Sequence, residues 1–344
     1  MHRATGLLLA ALALCILLAA APARACSVPV FRYALDRWPA DSFHLEAATA
    51  VFGEEPLATV LRNLGQNGAL NLEASPSNEP GREARLFHPT RPTRERHLFW
   101  NGSLDAARFA ELTDSPARRE LQKRILAGHS AVWILVHSGN ADADNEAAAL
   151  IEKRLRFLEQ AAALPRIDPN DPTSKLGPGP ALRIQLSLLR IERKDPAEAS
   201  FLRMLAGPAG LDPLPADQPF AALVFGRGRV LGAWASPEES TIEEATMFLL
   251  SACSCEVKNL NPGWDLLMTA DWQAGLQKAE QERIAATDSP STPPAQSVTP
   301  QTVVFTPGNT PAKREKPSTT RWRLWLILGA GLPLLLAWRR RSTP

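Results

Sequence analysis

The run Ala131-Val-Trp-Ile-Leu-Val136 constrains the fold of this chain more than any other feature of the sequence. Consecutive apolar residues with no polar alternation are typical of a strand that is buried on both faces. Such a strand needs a sheet with a covering layer on each side. The run therefore predicts an α/β protein in which helices flank a sheet.

Regular elements follow this run at intervals. Leu150, Ile151, Leu155 and Leu158 form one stripe of a helix over 145–163, and Asp195-Pro196 has the cap and first residue of another helix that reaches Leu205. Alternation predicts a strand over 182–191. Two more strands, 220–225 and 230–234, flank the hairpin turn Gly226-Arg-Gly-Arg229, and an amphipathic helix follows over 241–252.

This order of elements resembles the thioredoxin-like fold over about residues 130–252. The resemblance implies a thioredoxin-like mixed sheet flanked by helices, within a domain 129–285 that ends in a Trp-rich extension bearing Trp264 and Trp272. Redox members of that family carry Cys-x-x-Cys just after the first strand, whereas this chain has His137-Ser-Gly-Asn-Ala-Asp-Ala-Asp144 there. Pro219 stands where the family places a cis-proline. The resemblance thus implies the fold without its catalytic dithiol.

The preceding region, 26–128, reads as an N-terminal α/β extension. We expect helices over 30–38 and 56–64, strands over 43–52 and 69–74, and a helix pair over 105–127 that is interrupted at Pro116. Prolines between them predict an irregular linker over 75–97. Its arginines could face an anionic membrane or partner; they are Arg82, Arg85, Arg91, Arg94 and Arg96.

Residues 1–25 have the parts of a secretory signal peptide. A basic start precedes an apolar stretch, and Ala23-Arg24-Ala25 supplies small residues at the −3 and −1 positions of a cleavage site. Cleavage after Ala25 would leave Cys26 as the first residue. Lipidation of Cys26 is the alternative, although Arg24 fits a lipobox poorly.

The other end of the chain indicates a membrane anchor. Residues 286–321 are rich in Pro, Ser and Thr and predict a disordered stalk. Residues 322–338 then predict one transmembrane helix, and the basic tail 339–344 should remain in the cytoplasm. The chain is thus predicted to be a single-pass protein of a bacterial cell membrane with its bulk on the periplasmic or extracellular side. A buried core helix and a removable sorting tail are the alternatives for 322–338.

Charge and motifs exclude several functions. The formal net charge of +2 gives no footprint for nucleic acid. Asp142 and Asp144 could bind Mg²⁺ but suit the start of a helix better. His129 and His137 lack metal-ligand spacing, so ordinary hydrogen bonds are expected of them. The two arginines of Gly226–Arg229 are expected to be exposed, where they could meet an acidic partner.

Cys253-Ser-Cys255 is the sharpest local motif. Residues two apart in a helix point in different directions, so the preceding helix must end near Ala252 if both thiols act together. Three readings remain open. Cys26 could form a structural disulfide with Cys253 or Cys255, the three cysteines could exchange disulfides, or they could bind copper or zinc.

The sequence therefore predicts an envelope-exposed interaction or assembly module with a protein partner, and leans away from an enzyme. The alternative is thiol–disulfide exchange, or soft-metal handling, through Cys26, Cys253 and Cys255.

Overall fold

The computed structural model describes residues 27–67, 69–91 and 94–288. Residues 1–26, which include the predicted signal peptide and Cys26, lie outside the described residues. So do the predicted stalk from residue 289 onward, the predicted transmembrane helix 322–338 and the tail 339–344.

The described part of the chain contains both helices and strands. The helices are α1 (Val30–Arg37), α2 (Leu57–Asn67), α3 (Ala106–Thr113), α4 (Pro116–Leu126), α5 (Ala141–Ala161), α6 (Ala199–Leu205), α7 (Glu239–Leu250), α8 (Cys255–Leu260) and α9 (Trp272–Asp288). The strands are β1 (Phe43–Ala48), β2 (Leu72–Ser77), β3 (Glu83–Phe87), β4 (Leu98–Ser103), β5 (Ala131–His137), β6 (Leu186–Glu192), β7 (Phe220–Phe225), β8 (Arg229–Ala235) and β9 (Trp264–Asp265).

Five strands form a mixed sheet in the order β6-β5-β7-β8-β9. Strand β5 runs parallel to β6 and antiparallel to β7, and β7 and β8 form the predicted hairpin. The apolar run forms β5, an interior strand of this sheet, and its residues from Ala131 to Val136 are all fully buried. The prediction of a strand covered on both faces is therefore confirmed.

Alternate residues of β5 enter different hydrophobic layers. Trp133 and Leu135 pack with α1, α5 and α7 on one face. Val132, Ile134 and Val136 pack with α4 and α6 on the other. The predicted α/β class, with a mixed sheet flanked by helices, is confirmed, and the arrangement is compatible with a thioredoxin-like fold.

Four strands form a second mixed sheet in the order β2-β1-β3-β4. Strand β3 and the last three residues of β2 lie within the segment 75–97, so the prediction of an irregular linker is wrong for these residues; the other described residues of the segment form neither helix nor strand. Pro76 is tolerated because β2 is an edge strand, where a missing backbone donor costs little. Strand β3 turns Ala84 and Leu86 inwards and its charged residues outwards, which is ordinary strand alternation.

The two sheets share one hydrophobic cluster. Phe43 and Leu45 of β1 belong to the same cluster as Ile134 of β5. Helix α1, although early in the chain, packs on the five-stranded sheet with α5 and α7. The predicted regions 26–128 and 129–285 are therefore joined through a common core.

The segment that begins with β9 packs back onto this core, as its apolar residues predict. Leu266 and Leu267 are fully buried, and the Trp264 indole donates to the Met204 carbonyl at 2.9 Å. A buried ion pair also joins this segment to strand β8 of the five-stranded sheet. Arg229 and Asp265, each 2% exposed, form two hydrogen bonds, and Asp41 lies 3.3 Å from Arg229.

Candidate functional site

The β5–α5 junction, residues 137–144, is where the resemblance implies a redox centre. Asp144 is buried there and accepts three hydrogen bonds. Its Oδ1 accepts from the Ser138 amide at 2.7 Å and the Ser138 hydroxyl at 2.9 Å, and its Oδ2 accepts from the Gly139 amide at 3.0 Å. Burial acts to raise the pKa of Asp144, but these hydrogen bonds and the nearby His137 lower it below its usual value.

Hydrogen bonds also account for the polar residues around Asp144. Asn140 caps α5 by accepting from the Asp142 and Ala143 amides, and the Asp142 side chain is exposed. These contacts agree with the helix-start interpretation of the two aspartates. The junction is thus a closed turn whose polar groups bond to one another.

Both histidines near β5 have hydrogen-bond partners, as the sequence predicts. His137 Nδ1 lies 2.7 Å from Glu192 Oε1, and Arg190 donates to its Nε2 at 3.1 Å. His129 lies 2.9 Å from both Ser187 Oγ and Gln185 Nε2. Because both ring nitrogens of each histidine are engaged, neither offers a nitrogen for proton transfer in this structure.

Pro219 departs from the pattern that the resemblance implies. Among the residues that the structure describes, only the Glu55–Pro56 peptide is cis, so the bond before Pro219 is trans. Arg193 donates to the neighbouring Gln218 carbonyl at 2.8 Å and lies over the Phe220 ring.

The two cysteines of the Cys-x-Cys motif face different surroundings. Helix α7 ends at Leu250, before the motif, and Ser254 caps the next helix by accepting from the Val257 amide. Cys253 is fully buried in the cluster with α1, α5 and α7, whereas Cys255 is exposed at the start of α8. Within the described residues, no disulfide joins the two. The helix ends early enough for both thiols to act together, but the structure turns them apart.

The start of the described chain lies beside Cys253. The Cys253 amide donates to the Val28 carbonyl at 2.9 Å, and the Val30 amide donates to the Ser251 carbonyl at 3.0 Å. Ser27 is held on its other side, where its hydroxyl donates to Ser174 Oγ at 2.8 Å. The sequence motif did not indicate this pairing, because its partners are more than 200 residues apart.

The hairpin arginines do not form a surface for an acidic partner. Arg229 is buried against Asp265, and Arg227 donates to the Leu35 carbonyl at 2.8 Å. The turn itself is confirmed, but the expected exposure of its arginines is wrong. Packing of α1 and β9 around the turn accounts for the difference.

Acidic neighbours pair with four of the five arginines of the basic segment 75–97. Glu46 pairs with Arg85 and Arg96 at 3.3 and 2.7 Å, and Asp41 pairs with Arg91 at 2.9 Å. Arg82 pairs with Glu54. These pairs weaken the interpretation of 75–97 as a basic surface for an anionic membrane or partner.

One surface feature, which we call the aromatic groove, was missed by the sequence analysis. It lies between β8 and α7 and has a volume of about 380 Å³. Its lining residues are Leu231, Trp234, Thr241, Glu244, Ala245 and Phe248. The Trp234 ring lies so close to Gly232 that a Cβ there would come within 2.5 Å of it. The pattern Gly-x-Trp in a strand is the sequence signal that could have indicated this packing.

A buried tryptophan supports the groove from below. The rings of Trp133 and Trp234 lie 5.5 Å apart between centroids, and the Trp133 indole donates to Thr246 Oγ1 at 3.0 Å. Glu244 at the groove forms no ion pair with any described residue, whereas Glu239 and Glu243 both pair with Arg154. The groove therefore combines apolar rings with an uncompensated carboxylate.

Within the described ranges, no three His, Cys, Asp or Glu residues cluster as a metal site would require. No helix in those ranges is long and apolar enough to cross a membrane. The predicted metal ligand Cys26 and the predicted membrane helix 322–338 lie outside them. No protein-family model matches this chain, and comparison with curated proteins gives no significant match.

Proposed function

We propose that this protein is an interaction or assembly module of the bacterial cell envelope, built on a thioredoxin-like domain that has lost its redox centre. In this proposal the signal peptide 1–25 exports the chain and the C-terminal helix 322–338 anchors it in the membrane. The folded part then acts by binding a protein partner outside the cytoplasm.

The strand order supports the thioredoxin-like assignment. In chain order β5, β6, β7 and β8 would be the four strands of the thioredoxin core, and they lie in the order second, first, third, fourth. Helices α5 and α7 cover one face and α6 covers the other. This is the arrangement expected of that fold, although the peptide before Pro219 is trans.

The closed β5–α5 junction is the observation that carries the non-catalytic part of the proposal. Asp144, with its three hydrogen bonds from Ser138 and Gly139, fills the position where redox relatives carry thiols. A buried carboxylate that is satisfied within its own turn holds the backbone in place and offers no nucleophile.

The aromatic groove supports the binding part. Aromatic rings contribute strongly at protein interfaces because they bury much apolar area with little loss of side-chain entropy. Met247, 41% exposed, lies next to Phe248 and extends the apolar surface. The unpaired Glu244 favours a basic residue opposite it. We therefore propose that the groove binds an apolar protein segment that carries Lys or Arg.

Site-specific photocrosslinking tests this binding in the cells that produce the protein. A photoreactive residue at Met247 should give a discrete adduct, and the same residue at exposed Lys278 on α9 should give none. Glu244→Lys should abolish the Met247 adduct by repelling the basic residue. Equal adducts at both positions, or an adduct insensitive to Glu244→Lys, would refute binding at the groove.

Thiol–disulfide exchange is the competing proposal, with soft-metal handling as its variant. Cys255 is exposed, which exchange requires, but Cys253 is buried away from it. The purified full chain should show no disulfide reductase or oxidase turnover above the uncatalysed rate. Turnover that is lost in Cys253→Ser or Cys255→Ser, or stoichiometric copper or zinc in the purified protein, would favour the competing proposal.

A further inference from the structure

Strand β9 covers only the start of β8. It pairs with Arg229 and Val230, and the chain bends away beside them at Gly263, whose φ is 94°. A Cβ on Gly263 would collide with the Val230 carbonyl oxygen, so this close approach requires glycine. No described strand pairs with residues 231–235 of β8 on that side, and all five residues are partly exposed.

This free edge of β8 carries main-chain groups that point away from the sheet. The Ser236 amide donates to the Pro219 carbonyl at 2.9 Å, so these two residues form a hydrogen-bonded pair next to β7 and β8. Such pairs recur at every second residue, and the residues between them point their amide and carbonyl groups to the opposite side. In the register of this hairpin, those residues are Ala233 and Ala235. No described residue forms a hydrogen bond with their outward groups.

The other edge strands of the two sheets have protection that this edge lacks. In β6 the Leu188 carbonyl accepts from Arg124 at 2.9 Å, and in β4 the Phe99 carbonyl accepts from Arg203. In β2, Pro76 has no amide that an added strand could use. Side-chain bonds and prolines are ordinary means of preventing an edge from pairing with another chain. Residues 231–235 have neither, so this edge is open to an added strand.

The aromatic groove lies along the same edge. The Trp234 ring lies across Gly232 and fills the space that a side chain at position 232 would occupy. A shift in the register of β8 turns Leu231 towards the same face, where it also lines the groove. Successive side chains of a strand alternate between faces. A strand added to this edge would therefore place every second side chain in the groove that Glu244 lines.

We propose that the free edge of β8 binds an extended segment of the partner protein by strand addition, so that the segment continues the five-stranded sheet. This inference rests on the proposed function and specifies how the groove is occupied. Main-chain hydrogen bonds to Ala233 and Ala235 hold the segment, and its alternate side chains enter the groove. The segment carries an apolar residue that packs on Trp234 and Phe248, and a Lys or Arg two positions away that pairs with Glu244.

Glu244 disfavours a second copy of this chain as the added strand. An antiparallel continuation of the sheet by a second β8 would place α7 of both copies on the same face. Two Glu244 side chains would then approach each other without the basic partner that Arg154 gives to Glu239 and Glu243. Like charges across an interface oppose association, whereas a basic segment is attracted to Glu244.

A synthetic peptide with this chemistry tests strand addition to the purified full chain. The probe is fluorescently labelled Thr-Phe-Thr-Lys-Thr-Val-Thr, in which Phe, Lys and Val share one face. Two further peptides are N-methylated, one at the amides of Phe, Lys and Val and the other at those of Thr. Only one of these two sets of amides can face β8, so one methylated peptide should bind at least about tenfold more weakly and the other within about twofold of the probe. Fluorescence polarisation measures all three.

A matched pair of protein variants tests the same hydrogen bonds from the other side. Ala235→Pro removes an outward amide and leaves the ladder with β7 intact, because an edge proline is tolerated where its amide position faces solvent. It should weaken binding of the probe at least about tenfold, whereas Ala235→Ser keeps the amide and should bind as wild type does. If Ala235→Pro does not fold, the methylated peptides give the same comparison on the wild-type chain. Equal binding of the two methylated peptides, or of Ala235→Pro and wild type, would overturn strand addition.

The remaining outcomes separate this inference from the proposed function. Binding that is lost in Glu244→Lys but is insensitive to N-methylation would refute strand addition and leave the groove as a binding site. A probe that does not bind would also overturn the inference, while the Met247 crosslink still tests the proposed function by itself. A dimer of the purified chain that Ala235→Pro dissociates, as measured by light scattering, would assign the edge to a second copy and contradict the inference.

Discussion

The strands of the two sheets of this protein differ in how many of their faces are buried. In the five-stranded sheet, β5 and β7 are buried on both faces and consist almost wholly of apolar residues. In the four-stranded sheet, β1 and β3 alternate, and the outward residues form ion pairs such as Glu46 with Arg85. A strand covered on both faces can be predicted from its unbroken apolar run, whereas the sequence of a half-exposed strand among prolines is similar to that of a loop.

The sheets meet at a buried charge network as well as at the shared cluster. Arg229 begins β8, Asp265 ends β9, and Asp41 lies two residues before β1 of the four-stranded sheet. The Asp41 amide also donates to Asp265 at 2.7 Å. A buried pair of this kind is costly to break because the remaining charge stays desolvated.

Breaking that network should have the largest effect on the free energy of unfolding. Asp265→Ala leaves Arg229 buried without its main partner, so we expect the free energy of unfolding to fall by about 3–5 kcal/mol. Urea denaturation measures it. Arg62→Ala, which removes an exposed pair with Glu55, is the matched control and should change little. The double variant Arg229→Met with Asp265→Leu should recover most of the loss; if it remains as unstable as Asp265→Ala, unpaired charge is not the cause.

A scan of adjacent positions sharpens the contrast between the strands. Ile134→Ala and Leu135→Ala should each cost about 2–5 kcal/mol, because the two side chains fill opposite buried layers. In β1, Leu45→Ala should cost as much, but His44→Ala far less, since His44 faces outwards. The same urea titration compares all four. If one of the β5 substitutions is as mild as His44→Ala, then β5 is not buried on both faces.

Acidification should weaken the protein through the four-stranded sheet. Burial, with the positive charges of His97 and Arg203, lowers the pKa of His88 to about 4. In the unfolded chain His88 binds a proton near pH 6.5, whereas in the folded protein it does so only near pH 4. The stabilisation that neutral His88 gives the folded state is therefore complete above pH 6.5 and is lost as the pH falls towards 4. Between pH 7.5 and 5 the free energy of unfolding should therefore fall by about 2 kcal/mol.

His88→Phe provides the comparison, because Phe43 and Phe99 already pack around the histidine ring. The free energy of unfolding of the variant should fall by about 2 kcal/mol less than that of the wild type over the same pH range. Urea denaturation at each pH measures both. Equal losses in the two proteins would show that His88 is not the group responsible.

Local pattern was enough for much of the fold. Helix α1, the α3–α4 pair around Pro116 and the β7–β8 hairpin all form where periodicity and turn residues indicate them. The absence of cysteine from 137–144 was also visible in the sequence. These features depend on neighbours within a few residues, so one stretch of sequence contains their causes.

The candidate sites were less predictable because their partners are distant. The aromatic groove joins β8 to α7, and Trp234 rests on Trp133, about a hundred residues away. Pro76 was misleading because nothing in the sequence says that β2 lies at the edge of a sheet. The pairing of Val28 with Cys253 likewise has no local signal.

The sequence by itself determined the α/β class, the strand buried on both faces and the absence of cysteine from 137–144. Only the tertiary structure decided that Arg229 is buried, that Cys253 faces inwards while Cys255 faces out, and that four of the five arginines of 75–97 have acidic partners. The reason is physical: secondary structure follows contacts between near neighbours, whereas burial and charge pairing depend on residues such as Asp41 and Asp265, which are 224 positions apart.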